Sequence, residues 1–476
     1  MVFLARNRIL KGCMATLLLG AAACSTFPPP KASQGLLPLP ERYSLYPESS
    51  PAEESRWWIS FNSDELNALM DEALQENLTL QEAWARLKQS TALHQTKKAG
   101  LFPSLSTEAG ADTTRRGGDD TVNSTTDSLY LGLAASYEVD LWGRIRALSQ
   151  AESQRVLAVR ANVETAAMTL SGQVAEAWTN LVSTRGEIAV LKSQMALNST
   201  LLNALELRFE NSMVSAVDVL RQRKVIEQQA SELPSLLELE SRYQNALALL
   251  LGKAPGMAPE VITRKLPAPG EIPPTGLPAD LLAMRPDIRS AGLTLRAEEW
   301  EISAARADRL PALSITARAR FGSDGVESLF DNWFTNLAAN LTGPIFDAGR
   351  RKAEVFRARA QAEERLATYR KTVLTALSEV ENALVSEVRQ KESVAAMEQE
   401  LITSRLTLTE TENRYTQGVS DYVTLLAELK DLQTLERKLV KEKAQLVKNR
   451  IALHRALGGN WTRSITDSPS ARITME

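Results

Sequence analysis

Leu341-Thr342-Gly343-Pro344-Ile345-Phe346-Asp347-Ala348-Gly349-Arg350-Arg351 is the stretch on which the fold turns. Before it, Asn332 to Leu341 alternates polar and apolar residues with the period of a strand. After it, neither glycine nor proline occurs from Arg350 to Gln417, 68 residues that a helix can take without a break. At 1.5 Å per residue such a helix reaches about 100 Å, more than a globular core needs. Tyr137-Glu138-Val139-Asp140-Leu141-Trp142-Gly143-Arg144 makes the same passage from strand to long helix. Gly143, Gly343 and Gly349 bring backbone freedom to these junctions, and Pro344 fixes φ without donating a hydrogen bond. Two copies of so unusual a junction predict a duplicated chain that crosses a large distance.

The duplication extends beyond the junctions. Pro311-Ala312-Leu313-Ser314 matches Pro103-Ser104-Leu105-Ser106 at an offset of 208. Gly349-Arg350 matches Gly143-Arg144, Arg414-Tyr415 matches Arg208-Phe209, and Leu457-Gly458 matches Leu251-Gly252, each at 206. The expected order in each half is helix, β-hairpin, long helix and return helix. The first repeat covers 62–251 and the second 279–458, joined by a Pro- and Gly-rich linker over 252–278. An extended, Pro- and Ser-rich segment over 24–61 precedes them, and a tail over 459–476 follows.

Within the first repeat, Asn62 or Ser63 is placed to cap a helix that runs to about Ala99, where Gly100 and Pro103 stop it. Ser104–Thr114 and Ser128–Tyr137 read as strands, and the polar, Gly-rich Arg115–Asp127 as the loop between them. Pro234 is expected to kink or interrupt the return helix, Val217 to Leu251. Two kinds of rod are distinguishable. Leu366, Tyr369, Val373, Leu377, Val380, Leu384 and Val388 recur with a mean spacing near the natural helix period, which suits a nearly straight stave. Leu425, Leu432, Leu439, Leu446 and Leu453 recur every seven residues, as in a left-handed coiled-coil seam; the first copy places Val219, Ile226, Leu233, Glu240 and Leu247 there.

The N-terminus reads as a secretory signal over 1–23. Arg6, Arg8 and Lys11 precede an apolar run from Met14 to Ala23, and Ala21-Ala22-Ala23 leads into Cys24. Small residues before a cysteine resemble a bacterial lipobox, which makes Cys24 the expected site of lipidation. Ser25 then implies delivery to the outer membrane. With the signal removed, 52 basic residues face 58 acidic ones, a net of −6, which disfavours nucleic acid as a partner. No later stretch has the ~20 consecutive apolar residues of a membrane helix, so any crossing must be made from strands.

Four candidate strands cannot close a barrel, and an open edge in lipid leaves backbone groups unpaired. Closure demands several chains: two provide eight strands, whose interior fills with side chains, and three provide twelve, which leave a lumen. Asn336 and Asn340, alternating with Leu337, Ala339 and Leu341, suit a wet lumen and an apolar outer face.

Taken together, Tyr137–Arg144, Gly343–Arg351, Arg414-Tyr415-Thr416-Gln417-Gly418 and the 206-residue repeat resemble the TolC-type outer-membrane factors. Within them the lipobox resembles the lipoprotein branch that serves resistance-nodulation-division efflux pumps. The resemblance spans about residues 55–460. It implies a mainly α protein with a transmembrane β-barrel: a homotrimer whose twelve strands continue into a twelve-helix α-barrel. A belt built from the linker and the terminal segments would encircle it. The implied partners are a periplasmic adaptor and an inner-membrane transporter, and the implied function is an exit duct. The family closes its tunnel at the periplasmic turns, here Phe209–Ser215 and Tyr415–Asp421. Tyr415 matches a tyrosine whose contacts help hold the closed state, Val423 an apolar residue that narrows the entrance, and Asp218 an entrance acid. Thr424 and Ala427 stand where relatives often carry aspartate, so a second-repeat acid ring is absent at those positions. Without the resemblance, Asp218 and Asp421 are helix caps, and Val423 is a seam residue.

An enzyme is not expected. The chain has two histidines, His94 and His454, and lacks a Gly-rich phosphate loop, so no His-based triad, metal cluster or cofactor site is expected. A periplasmic adaptor is the other reading for a lipoprotein with long helices, but one helical hairpin and a mainly β remainder would be its pattern. Metal-ion export and type I secretion remain open within the channel class. The absence of clustered methionine and histidine favours organic compounds as cargo.

Overall fold

The computed structural model describes residues 27–30, 38–45, 56–118 and 121–467. Cys24, the signal over 1–23 and the tail beyond 467 lie outside the described residues. The helices are α1 (Asp64–Glu76), α2 (Leu78–Ala99), α3 (Arg144–Glu210), α4 (Ala216–Leu250), α5 (Pro286–Ala307), α6 (Arg350–Thr416), α7 (Tyr422–Leu457) and α8 (Trp461–Asp467). The strands are β1 (Ser104–Gly118), β2 (Thr121–Val139), β3 (Ala312–Ser323) and β4 (Trp333–Thr342). The chain divides into two compact units, Met1–Leu37, Arg86–Arg160 and Ser290–Lys371 in one, Pro38–Ala85, Ala161–Arg289 and Thr372–Glu476 in the other.

The repeat holds at the level of backbone angles. α3 and α6 are 67 residues each, and both their starts and their ends differ by 206. Left-handed residues recur at the same offset: Gly143 and Gly349 before the long helices, Ser212 and Gly418 after them, Gly252 and Gly458 after the return helices. No helix among the described residues is long and apolar enough to cross a membrane.

The first unit holds an antiparallel sheet in the order β1-β2-β3-β4. In its register Leu105 lies opposite Ala135, Leu133 opposite Ala319, Leu131 opposite Phe321, and Leu337 opposite Ala317, so odd-numbered residues share one face. On that face Leu105, Leu131, Leu133, Phe321, Trp333, Leu337 and Leu341 are all exposed. The even face carries Ser106, Glu108, Thr316, Arg318 and Asn336 (by strand alternation). The first hairpin is longer than predicted. Residues 115–118 and 121–127 belong to the strands and not to a loop: Thr114, Arg115 and Arg116 pair with Thr126, Thr125 and Ser124. A ladder is made by the backbone, so polar side chains do not end it.

α1 and α2 are separate helices, not the single helix expected. Asn77 breaks the run at an extended backbone position, and its side chain caps α2 by accepting from the Leu80 N–H at 3.0 Å. Its Nδ2 donates to the Leu250 carbonyl at 2.9 Å, so the break ties α1 and α2 to the end of α4. Ser63, not Asn62, caps α1, while Asn62 closes the preceding turn in a left-handed conformation. Pro234 lies inside α4 without interrupting it.

The seam of α7 is buried at Leu425, Leu432, Leu439 and Leu453. Glu240, the odd residue in the corresponding seam of α4, pairs with Arg185 at 2.7 Å. On α6, Val373, Val380 and Leu384 are buried, as the stave pattern requires.

The linker over 252–278 has no regular element apart from the turn that begins at Pro278, yet it is pinned. Glu65 accepts from the Ile262 and Thr263 N–H groups, and Arg450 donates to the carbonyls of Gly270 and Glu271. Arg450 also bonds the buried Glu387, with its Nε at 2.8 Å. Beside it Trp57 stacks on His454 with centroids 5.3 Å apart, and Trp58 meets Trp461 edge-on at 4.8 Å. The described parts of the linker and both terminal segments therefore share one polar-aromatic layer.

Candidate helix-tip gate and strand-to-helix junctions

The two helical turns are built alike. After α3 the Met213 N–H reaches the Arg208 carbonyl, and after α6 the Val419 N–H reaches the Arg414 carbonyl, both at 2.9 Å. The left-handed residue that this closure needs is Ser212 in one copy and Gly418 in the other. The return helices start with different caps. Ser215 caps α4 in a reciprocal box with Asp218. Asp421 caps α7, accepting from the Thr424 N–H at 2.9 Å and its hydroxyl at 2.6 Å. Those two bonds hold the Asp421 carboxyl below the usual carboxylate range. Thr424 thus occupies the cap position that Asp218 fills in the first repeat.

Tyr415 sits in an apolar cluster with Leu205, Val219, Val225, Tyr422, Leu425 and Leu426. The Arg208 guanidinium lies 5.2 Å from the centre of its ring, which joins the two copies of the Arg-aromatic motif, and Tyr422 lies 6.1 Å away. The Tyr415 hydroxyl is buried and has no hydrogen-bond partner among the described residues. Asp218 faces its own cap and Arg221, at 3.6 Å. Val423 is 43% exposed, so it is not packed in the seam. Of the four predicted gate residues, Tyr415 enters the cluster, Asp218 and Asp421 cap helices, and Val423 is exposed on the single chain.

Behind this cluster lies a set of amides that sequence reading missed. Asn198 and Gln222 are fully buried, Gln229 and Gln433 nearly so. Asn198 Nδ2 donates to Gln229 Oε1 at 2.9 Å and to Gln433 Oε1 at 3.1 Å. Gln222 Nε2 donates to the Asn198 carbonyl at 2.9 Å, and Gln229 Nε2 donates to Gln433 Oε1 at 3.0 Å. The Tyr422 hydroxyl donates to Gln222 Oε1 at 2.7 Å, and burial holds its phenol above the ordinary tyrosine range. The network ties α3, α4 and α7 together.

At the junctions the glycines have distinct duties. Gly143 and Gly349 take the left-handed φ values of 76° and 85°. Gly343 does not; it makes room instead, since a Cβ there would lie 2.7 Å from Pro311 Cγ. This corrects the expectation that Gly343 is needed for backbone freedom. Trp142 donates from its indole to the Pro311 carbonyl at 2.7 Å, which braces the first junction against the start of β3. Each long helix is headed by an aspartate. Asp140 accepts from the Ile145 and Arg146 N–H groups, and Asp347 from those of Gly349 and Arg351. The Arg351 N–H, the larger influence, together with that of Gly349 keeps the Asp347 carboxyl low. Among the described residues no group of His, Cys, Asp and Glu is arranged to hold a metal.

A duplicated chain with long helical hairpins and a sheet apolar on one face defines the class. The sequence pattern of the outer membrane efflux proteins matches residues 69–253 and 277–459, one match per repeat. The chain belongs to that family and is an outer-membrane efflux channel. It is 31% identical over 460 residues to the pyoverdine export outer membrane protein OpmQ of Pseudomonas aeruginosa, covering 94% of this chain and 96% of that one. It is 32% identical over 415 residues to the solvent efflux pump outer membrane protein SrpC of Pseudomonas putida, covering 85% and 87%. Among solved structures, the outer-membrane channel OprN matches with a TM-score of 0.84 at 25% identity, over 92% of this chain and 99% of that one.

Proposed function

We propose that three copies of this chain close a twelve-stranded barrel and a twelve-helix tunnel, and that this tunnel is the exit duct of a tripartite efflux pump. The observation that carries the reading is the sheet: one face bears seven exposed large apolar residues, and β1 and β4 are its unpaired edges. An apolar face of that kind suits lipid, and lipid tolerates no open edge, so β1 of one copy pairs with β4 of the next. Cys24 carries the lipid anchor in the outer membrane. The partners are a periplasmic adaptor and an inner-membrane transporter of the resistance-nodulation-division type.

The helix tips form the gate, with Tyr415, Val423, Asp218 and Asp421 at the entrance and the amide network behind them. Cargo is organic: relatives at 31–32% identity are named for pyoverdine and solvent efflux, while the cation efflux protein CusC of Escherichia coli is 26% identical. Purified full-length protein is expected to cross-link as a trimer and to form pores in planar bilayers. A monomer or dimer without pore activity refutes the reading.

A further inference from the structure

The even-numbered face of the sheet is the polar one, and its charges are not evenly spread. In the rows shared by all four strands it bears Glu108, Arg318 and Arg320, and Glu138 follows in a row made by β2, β3 and β4 alone. Glu138 is bonded to Arg144 at 2.8 Å, at the end of the sheet nearest the helices. Glu108 lies 3.8 Å from Arg318, a long pair whose arginine side chain is 60% exposed, so it compensates little. Arg320 is held by an aromatic ring: its guanidinium lies 5.5 Å from the centre of Tyr130. A ring anchors a cation without cancelling its charge.

The glycines around this group leave space for it. A Cβ at Gly132 would lie 2.5 Å from Arg320 Cβ, and one at Gly110 would lie 2.4 Å from the Tyr130 ring. Tyr130 faces Gly110 on one side and Gly322 on the other, so its ring can lie along the sheet. Beyond Gly110 the same face of β1 carries one acid and one base, Asp112 and Arg116, whose formal charges offset one another. The local balance of the band is therefore positive, in a chain that is negative overall.

We propose that Arg318 and Arg320, seated by Tyr130, Gly132 and Gly110, form an anion-favouring band on the lumen wall of the barrel. The band concentrates anionic solutes, carboxylates and phosphates among them, and disfavours cations in the strand-walled part of the duct. This rests on the reading of the sheet as part of a closed barrel with its polar face inward; the trimer multiplies the band to six arginines against three glutamates.

The test is local, so that a narrow tip elsewhere does not dominate it. Thr316→Cys places one thiol on the same face, one row from Arg318, in the full-length lipidated protein. Anionic and cationic methanethiosulfonate reagents of similar size are applied to reconstituted protein, and the two rates are compared. In 0.1 M salt the anionic-to-cationic ratio is expected to fall about five-fold in an Arg318→Gln, Arg320→Gln background, and to rise with Glu108→Gln. Opposite shifts exclude a general folding defect, and in 1 M salt the differences are expected to collapse. A ratio unmoved by the arginine substitutions overturns the band. A thiol unreactive to both reagents overturns the inward orientation of the polar face. Failure of the parent protein to form a trimer counts against the channel assembly instead.

Discussion

Asn198→Leu tests what holds the helix tips together. Asn198 is the hub of the buried amide network, and leucine has nearly its shape but none of its hydrogen bonds. The substitution leaves Gln229 Oε1 with no donor, whereas Gln433 Oε1 keeps Gln229 Nε2, and Gln222 keeps the backbone carbonyl at 198. One orphaned buried acceptor costs about 1–3 kcal/mol, and with the lost bonds the sum is about 2–4 kcal/mol. That raises local opening of the tip by about 30- to 1,000-fold.

Hydrogen exchange on the reconstituted protein reads this directly, in amides of α3, α4 and α7 around 194–206, 219–230 and 425–435. Exchange there is expected to accelerate while the Trp57–His454 layer keeps its protection, and single-channel conductance is expected to rise. Asn198→Leu combined with Gln229→Leu and Gln433→Leu leaves no orphan and is expected to recover most of the protection. Unchanged exchange in the single variant, or a triple variant worse than the single, refutes the reasoning.

Arg450→Leu strands the buried Glu387 and releases two linker carbonyls, a loss of about 3–5 kcal/mol visible as a lowered melting temperature; adding Glu387→Leu is expected to restore much of it. His454 is held neutral by burial, then by Arg450, with its pKa lowered to about 3. Because the unfolded value is higher, near 6.5, its contribution is complete above that pH and is lost as the pH falls toward 3. The slope is at most about 1.4 kcal/mol per pH unit. His454→Phe keeps a ring on Trp57 and is expected to flatten the melting temperature between pH 7 and 4. At the junction, Gly343→Ala forces a Cβ against Pro311, and Pro344→Leu frees φ; both are expected to reduce trimer yield more than the conductance of the trimers that form. Normal yield with an altered current contradicts that.

Much of the architecture was legible because it follows from local rules. An absence of glycine and proline marks out both long helices, alternation marks the strands, and a constant offset marks the repeat. Arg115–Asp127 looked like a loop because its side chains are polar, but pairing is a backbone property. The α1–α2 run looked continuous because Asn77 is tolerated in a helix; its break follows from a bond to Leu250, 173 residues away. Gly343 suggests backbone freedom from sequence, although its reason is the nearness of Pro311. At the tips, Tyr415 and Arg208 stand out by their repeated motif, but Tyr422 and the amides behind it do not, since a buried glutamine and an exposed one look the same in a sequence.

The course and the ends of the two long helices, and the apolar face of the sheet, can be read from the sequence, because these depend on neighbours within a turn or a pleat. Tertiary structure alone decided which polar groups are buried and whom they meet. Asn198 and Gln433 are 235 residues apart and share a hydrogen bond because packing of α3 against α7 expels water from both. The same holds for Tyr130 and Arg320, whose stacking depends on the register of β2 against β3. Desolvation and register are set by the whole fold, so the chemistry of the tip and of the sheet's polar face becomes readable only when the chain is folded.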